Sequence, residues 1–450
     1  MNRLYDLPKE PYPKETVLTI GNFDGVHRGH QELIRIVVER ARSIGADAAV
    51  LTFHPHPLSV LKPNIQVKRL NSQEERAELL ASLGIDLLVM YPFTRETAQT
   101  SARDFVRALK EKLRMKELWV GPDFALGRNR EGDIPRLKEL GREIGFEVHV
   151  FPTFVWHGQA VHSTDIREMV SSGRVEAASE LLGRPYRLSG QVVAGARRGK
   201  KIGFPTINVS PCPGHLMPAT GVYAAWAVIG DGSRYPAVVN VGRRPTFDGD
   251  RIVVEAHLLD FVGEVYGWEV ELWFHKRLRD EMKFPGVAEL VEQIGRDIEN
   301  ARKILGAPAG DPHPPDPFFR EIEHTADWEI EVYGRNYESL FANAARAMFM
   351  LIQAPFHKKT ETSRKVEVSS WDRESLLVKW LGELLYLQEV EEEMFTFFCF
   401  DTMTDSRLSA SVQGVRGRSP MAHIKAVTYH DIAIEHRESG GYLARILFDT

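Results

Sequence analysis

The stretch Thr16 to His30 reads TVLTIGNFDGVHRGH. Five apolar or β-branched residues run into a loop bounded by glycine. The loop in turn enters an amphipathic segment carrying Leu33, Ile34, Val37, Val38 and Ala41. The apolar run Ala48 to Phe53 comes next, so the order is strand, helix, strand. Further out, Leu87 to Tyr91, a helix with Phe105, Val106, Leu109 and Leu113, and strands at Glu117 to Gly121 and Phe146 to Phe151 continue the alternation. This pattern predicts a parallel, doubly wound α/β module over residues 1 to 185.

Past about residue 186 the texture changes to short runs such as GVYAAWAVI, YPAVVNV, RIVVEAHLLD and VELWF, separated by Gly, Pro and Asp. They predict a small antiparallel β-barrel or sandwich over 186 to 305, closed by a helix from Val287 to Leu305. GAPAGDPHPPDP, residues 306 to 317, holds five of the chain's 25 prolines and reads as an extended linker. Beyond it, WEIEVYG alternates like a strand. A helix from Tyr337 to Ile352, a second one capped by Asp372, and later strands predict an α+β module over 318 to 450. At roughly 150 residues per domain, 450 residues agree with three modules.

Composition narrows the class without naming a function. The 43% hydrophobic and 26% charged content is that of folded domains, and a net charge of -5 argues against a globally basic nucleic-acid coat. Two distant cysteines exclude a disulfide framework and a Cys-type zinc site. The first 15 residues lack an apolar core and no stretch of 18 apolar residues occurs, so a cytoplasmic protein without membrane contact is expected.

The loop Gly21 to His30 carries the first candidate chemistry. His27 and His30, three apart at a helix start, share one face near the positive end of its dipole. Protonated or hydrogen-bond-donating imidazoles there suit a polyphosphate and can stabilise charge on an α-phosphate as pyrophosphate leaves. An isolated H-x-x-H pair also arises as surface polarity. His54 and His56 are turn residues pinned by Pro55 and Pro57, or ligand contacts. In the second module, Gly190 to Val209 reads GQVVAGARRGKKIGFPTINV. Gly195 and Gly203 would let backbone N–H groups approach a phosphate that Arg198 could neutralise, although a solvated basic turn explains the same composition.

GNFDGVHRGHQ, TFHPHP (Thr52 to Pro57), VGPDFALGRNREGD (Val120 to Asp133) and STDIR (Ser163 to Arg167) occur in that order. With them the chain resembles the bacterial bifunctional riboflavin kinase and FAD synthetase family from residue 14 to about 305, whose first half is a Rossmann-like nucleotidyltransferase. The resemblance implies that Asn22, Asp24, His27 and His30, with the adjoining Gly21, hold ATP phosphates and Mg²⁺. It implies that Ser163, Thr164 and Arg167 clamp the triphosphate, and that Asp123 and Arg128 shape the flavin or adenine side. His162 and Leu126 depart from the family's usual serine and aromatic residue. In the second module, Phe204 to Asn208 resembles the P-T-x-N signature of riboflavin kinases, implying Thr206 and Asn208 as Mg²⁺ ligands. Glu255 resembles the family's catalytic glutamate, with an exposed edge-strand position as the alternative. Riboflavin and ATP would yield FMN, and FMN and ATP would yield FAD with release of pyrophosphate.

EHTADWEIEVYG (Glu323 to Gly334), IKAVTYH (Ile424 to His430) and the ending ILFDT resemble archease, a small protein that assists the tRNA-splicing RNA ligase. That resemblance implies an oxygen-only site for Ca²⁺ or Mg²⁺ at Asp327, Asp449 and the terminal Thr450. Trp328 replaces a smaller residue, and the run Glu391 to Glu393 reads as a solvated face. The implied partners are riboflavin, FMN, ATP and an RNA ligase, with no direct nucleic-acid contact. Two other readings stay open: a non-catalytic flavin- or nucleotide-binding adaptor of RNA ligation, and an H-x-G-H transferase that passes CMP or AMP to a different phosphate.

Overall fold

The computed structural model describes residues 1–450 except 63–66, 194, 196–198, 200–201, 231, 247–248, 312–317, 323–327, 353–359, 418–423, 431 and 438–439. Its contacts group into two compact units, residues 1–188 with 213–219, and residues 189–212 with 220–450.

The first unit is built on a parallel sheet. Its strands are β1 (Asn2–Leu4), β2 (Thr16–Ile20), β3 (Asp47–His54), β4 (Leu87–Pro92), β5 (Met115–Val120) and β6 (Glu147–Val150), in the order β1-β4-β3-β2-β5-β6. Alternate residues of each strand face opposite sides. Val17, Ala48, Val50 and Leu88 pack under α1 (Arg28–Ser43); α2 (Pro57–Leu61) follows β3, and Ala77 and Leu80 of α3 (Gln73–Ser82) join the same core. Leu18, Ala49, Leu51 and Val89 pack on the other side, against α4 (Ala102–Lys112) and α5 (Ile134–Ile144). The strands read as unbroken apolar runs because both faces are covered. Since β2 is flanked by β3 on one side and β5 on the other, the winding reverses there, and the loop after β2 opens at the switch point of the sheet. A hairpin of β7 (Val155–Trp156) and β8 (Gln159–Ala160), then α6 (Ser163–Ser171) and α7 (Val175–Leu182), complete the unit.

The second unit begins as a closed barrel, which decides between the two expected β architectures. Its strands are β9 (Tyr186–Val193), β10 (Ile207–Pro211), β11 (Gly221–Ile229), β12 (Ser233–Thr246), β13 (Gly249–Leu258) and β14 (Glu269–Arg279), closed in the order β10-β13-β12-β11-β14-β9. Closure leaves no edge, so β13 pairs on both sides and the edge-strand alternative for Glu255 is excluded. Helix α8 (Val287–Leu305) lies over β11, β12 and β14, burying Ala301 against Val222, Ala224 and Val238. Asp297 of this helix is buried and ion-pairs with Arg279 at 2.8 Å.

The same unit contains an α+β part. One sheet has β15 (Phe319–Ile322), β16 (Trp328–Gly334), β20 (Ala426–Val427), β21 (Ala433–His436) and β22 (Tyr442–Asp449). The other has β17 (Thr360–Ser369), β18 (Glu393–Met403) and β19 (Arg407–Arg416). Helices α9 (Tyr337–Ile352) and α10 (Arg373–Glu391) share one core with both sheets. Asp372 caps α10 by accepting the Ser375 N–H at 2.8 Å, as its position predicts. In the acidic run Glu391 to Glu393, Glu392 is exposed as expected, whereas Glu393 departs from the solvated face. Glu393 is only 2% exposed and binds Arg364 and Thr362 of β17 across the sheet, because it is the first residue of β18 rather than part of the helix.

Candidate active sites

The loop between β2 and α1 is held in an uncommon backbone path. Phe23 and Val26 take left-handed conformations at φ 47° and 39°, and Gly25 lies at φ 83°. A side chain on Gly25 would also meet Leu70 at 2.8 Å, so glycine is required there for space as well as conformation. These turns deliver His27 to the N-cap of α1, where its Nδ1 accepts the His30 N–H at 3.3 Å. The two imidazoles stack with centroids 3.6 Å apart and planes 17° from parallel. Burial pushes His27 down to about 4, helped by the nearby His162 and Arg184 charges. Burial also holds His30 well below its ordinary value. The rings are therefore neutral near pH 7, which selects the donor role over the protonated one. Because Nδ1 of His27 accepts, its proton belongs on Nε2.

Asp24 organises the surroundings of this pair. Its carboxylate accepts the Leu70 N–H at 2.9 Å and pairs with Arg167 at 2.7 Å, while its carbonyl accepts Ser163 Oγ–H at 2.9 Å. Thus Ser163 and Arg167, at the start of α6, meet Asp24 although 139 and 143 residues separate them in sequence. Thr164 is exposed beside them. Gly21 continues the β2 ladder by donating to the Leu51 carbonyl at 3.1 Å. The Asn22 carbonyl accepts from Arg76 at 2.6 Å.

Arg76 and Arg184 are functional candidates that the sequence reading missed. Arg76 is buried, pushed down to about 10 by that burial, and anchors the loop at Asn22. Arg184 donates to the Gly25 carbonyl at 2.8 Å and the Val26 carbonyl at 3.3 Å. Both lie outside the motifs, in QEERAELL and in the turn after α7, so only the tertiary fold reveals them. Asp123 and Arg128 are exposed on the loop after β5, where Arg130 donates to the Asp123 carbonyl at 3.0 Å. His56 caps α2 through the Leu58 N–H at 3.1 Å and His54 contacts Gln73, which favours their turn role.

On the barrel, strand register creates the second cluster. Asn208 of β10 lies opposite Glu255 of β13, and Glu255 lies opposite Asn240 of β12. Val209, Val254, Ala256, Val239 and Val241 alternate with them and are buried, so the three polar residues share the outer face of three adjacent strands. Gly195 packs against this row: a Cβ there would lie 2.0 Å from Asn208 Nδ2. A Cβ on Gly199 would lie 2.2 Å from the Phe204 carbonyl oxygen and 3.4 Å from Thr206 Oγ1. Gly203 takes φ 88°, and His257 bonds the Pro205 carbonyl at 2.7 Å. Hence Gly195 lies close against Asn208, and Gly199 close against Phe204 and Thr206. Arg198 lies outside the described residues. Asn240 opens the NVGRRPTF block, but nothing short of the β12–β13 pairing identifies it.

In the α+β part, Asp449 ends β22 opposite Ala426, and Lys425 Nζ lies 2.9 Å from the Thr450 oxygen. Asp327 lies outside the described residues. Among the described residues, Glu117, Glu147 and His149 of the first unit form the one cluster with metal-like spacing, and Glu117 is already paired with Arg40 at 2.7 Å. No described helix is long and apolar enough to cross a membrane.

A histidine pair at the switch point of a parallel sheet and an Asn–Glu–Asn row on a closed barrel are two separate polar clusters of the kind found in enzymes that transfer phosphate groups. The comparisons narrow the class. FAD synthetase matches residues 9–165, riboflavin kinase 182–305 and the archease protein family 319–450. The bifunctional riboflavin kinase/FMN adenylyltransferase of Escherichia coli K12 is 40% identical over 292 residues, covering 64% of this chain and 93% of that protein. Its counterpart in Bacillus subtilis 168 is 35% identical, with 66% and 94% covered. A Streptococcus pneumoniae structure described as a macrolide-efflux protein is 31% identical with a TM-score of 0.62, covering 67% of this chain and 98% of that one. The chain belongs to the bifunctional riboflavin kinase/FMN adenylyltransferase family and carries a C-terminal archease domain. It makes FMN from riboflavin and FAD from FMN, with ATP as the donor in both reactions.

Proposed function

We propose that adenylyl transfer takes place at the loop Gly21 to His30 and riboflavin phosphorylation at the Asn208–Glu255–Asn240 row. The observation carrying the first assignment is the His27–His30 stack at the N-terminus of α1. An FMN phosphate oxygen attacks the α-phosphorus of ATP as the bond to pyrophosphate breaks. The Nε2–H of neutral His27 donates to the charge that develops, and His30 packs beneath it. Gly21, Asn22 and Asp24 shape the phosphate cradle, and Ser163 and Thr164 add donors at the start of α6. Arg167, already bound to a carboxylate, is positioned to exchange that partner for phosphate oxygens. Asp123 and Arg128 line the flavin side.

In the kinase step, Glu255 accepts the proton of the terminal ribityl hydroxyl as its oxygen attacks the γ-phosphorus and ADP leaves. Asn208 and Thr206 offer neutral oxygens, the donor type that suits Mg²⁺, and the Gly195 cradle holds the Asn208 side chain in place. Mg²⁺ would neutralise phosphate charge there. Gly203 and Arg198 belong to the loop covering the nucleotide. In the archease domain, Asp449, Thr450 and Asp327 would form an oxygen site for Ca²⁺ or Mg²⁺. The Lys425 ammonium now bonds the Thr450 oxygen at 2.9 Å, and a bound cation would displace it. This domain would assist a tRNA-splicing RNA ligase.

Incubation with riboflavin, ATP and Mg²⁺ followed by chromatography tests the scheme, with FMN and FAD both expected. Glu255→Gln should stop FMN formation and leave supplied FMN convertible to FAD; loss of both would overturn the division between sites. A guanylylation assay with an RNA ligase, with and without the chain, tests the archease role. An unchanged rate would refute it.

A further inference from the structure

The outer face of the kinase barrel carries buried polar residues that a free barrel would expose. On β14, Val270, Leu272 and Phe274 point inward and Glu269, Glu271 and Trp273 point outward, yet Glu271 is only 5% exposed. On β9, Val192 points inward, and the outward Gln191 is 2% exposed. What covers both is the archease domain. Arg335 pairs with Glu271 at 2.9 Å, and the other oxygen of that carboxylate accepts the Trp273 indole N–H at 2.9 Å. Buried Arg346 of α9 lies 3.8 Å from Glu269. The Gln191 amide donates to the Thr396 carbonyl and, at 2.7 Å, to the Gly267 carbonyl. Trp268 meets Phe318 edge to face, with centroids 4.9 Å apart, and packs on the archease core.

Water would solvate the charges again on separation, so the ion pairs select the docked arrangement while the apolar packing of Trp268 on Phe318 and the archease core holds it together. The covered strand also reaches the kinase site. Gln191 pairs with Ser210 of β10, and Val193 of the same strand pairs with Asn208. The barrel is closed, so β9 cannot shift without moving β10.

We propose that the archease domain is docked in cis on β9 and β14 and unfolds as one cooperative unit with the kinase barrel, so that occupancy of the kinase site stabilises the archease domain. Coupling of this kind is reciprocal: a partner that binds the archease domain and shifts its docked state would change riboflavin affinity by the same factor. The inference rests on the kinase site being on this barrel.

Hydrogen exchange on the full chain, with and without Mg²⁺, ADP and FMN at about 100 times their Kd, tests it. The slowest amides of α9 and α10 should slow by up to about 100-fold together with those of the barrel strands. Slowing confined to the barrel would overturn the proposal. Glu271→Gln and Arg335→Gln should each shrink the response of α9 and α10, and the double variant should lose no more than either single one. Independent, additive losses would overturn the role of this pair. Adenylyl transfer, measured on the same samples, should stay at its wild-type rate and report folding of the first unit. Kinase turnover separates the two questions: an inactive wild-type barrel refutes the kinase assignment, whereas an active one without an exchange response refutes the coupling.

Discussion

The proposed adenylyl-transfer site after β2 gathers neutral imidazoles and guanidiniums, held by bonds that span as many as 159 residues of sequence. On the barrel, the corresponding groups are one carboxylate and two amides brought level by ladders between adjacent strands. The first arrangement depends on loops arriving from α3, α6 and the segment after α7. The second depends on register, where a slip of one residue would turn Glu255 into the barrel core. Donors suit charge accumulating on an α-phosphate, whereas a base and metal-binding oxygens suit removal of a hydroxyl proton. On the proposed assignment, the contrast teaches that one donor, ATP, meets two sites with different physical requirements.

If that contrast is real, its two sides should fail separately. The largest effect is expected from Glu255→Gln, which should lower FMN formation by about 10²–10⁴-fold, since it removes the base, while FMN is still converted to FAD. Product analysis by chromatography checks this. Next, His27→Asn should reduce adenylyl transfer by about 10²–10³-fold in single-turnover assays, with riboflavin phosphorylation within twofold of wild type. Gly195→Ala is milder. Its Cβ would overlap the Asn208 amide, at 2.0 Å, so kinase kcat/KM should fall by about tenfold without any change at the other site.

The smallest effect concerns pH. Burial pushes His27 down to about 4 from an ordinary 6.5, so between these values the unfolded chain binds the extra proton and the folded one does not. Stability from this group is complete above pH 6.5 and is lost as the pH falls toward 4, amounting to on the order of 3 kcal/mol. His54 and His215, each also pushed to about 4 by burial, add to the same slope. Melting of the chain between pH 7 and 4, followed by circular dichroism, should show a shallower decline in His27→Asn. An equal slope in both proteins would show that the imidazole is not held neutral.

Much of this was legible beforehand. The unbroken apolar strands, the H-x-G-H start of α1 and the helix Val287–Leu305 are local patterns, and local patterns reflect local backbone and solvent preferences. The burial of Glu393 was not legible, because it depends on Arg364 reaching it from a strand 29 residues earlier. Arg76, Arg184 and Asn240 were missed for the same reason: each acts at a distance from the motif it supports.

The proline-rich stretch marks a boundary in the chain, but the barrel and the archease domain pack as one compact unit across it. A linker's composition reports its stiffness and solvation, not what the domains on either side do to each other. By itself, then, the sequence determined the kinds of module, their order and the residue types able to handle phosphate, since these follow from periodicity and short-range chemistry. Only the tertiary structure decided the neutral state of the histidines, the Asn–Glu–Asn row and the burial of Glu271. Those depend on burial, strand register and long-range pairing, which arise only when distant segments meet.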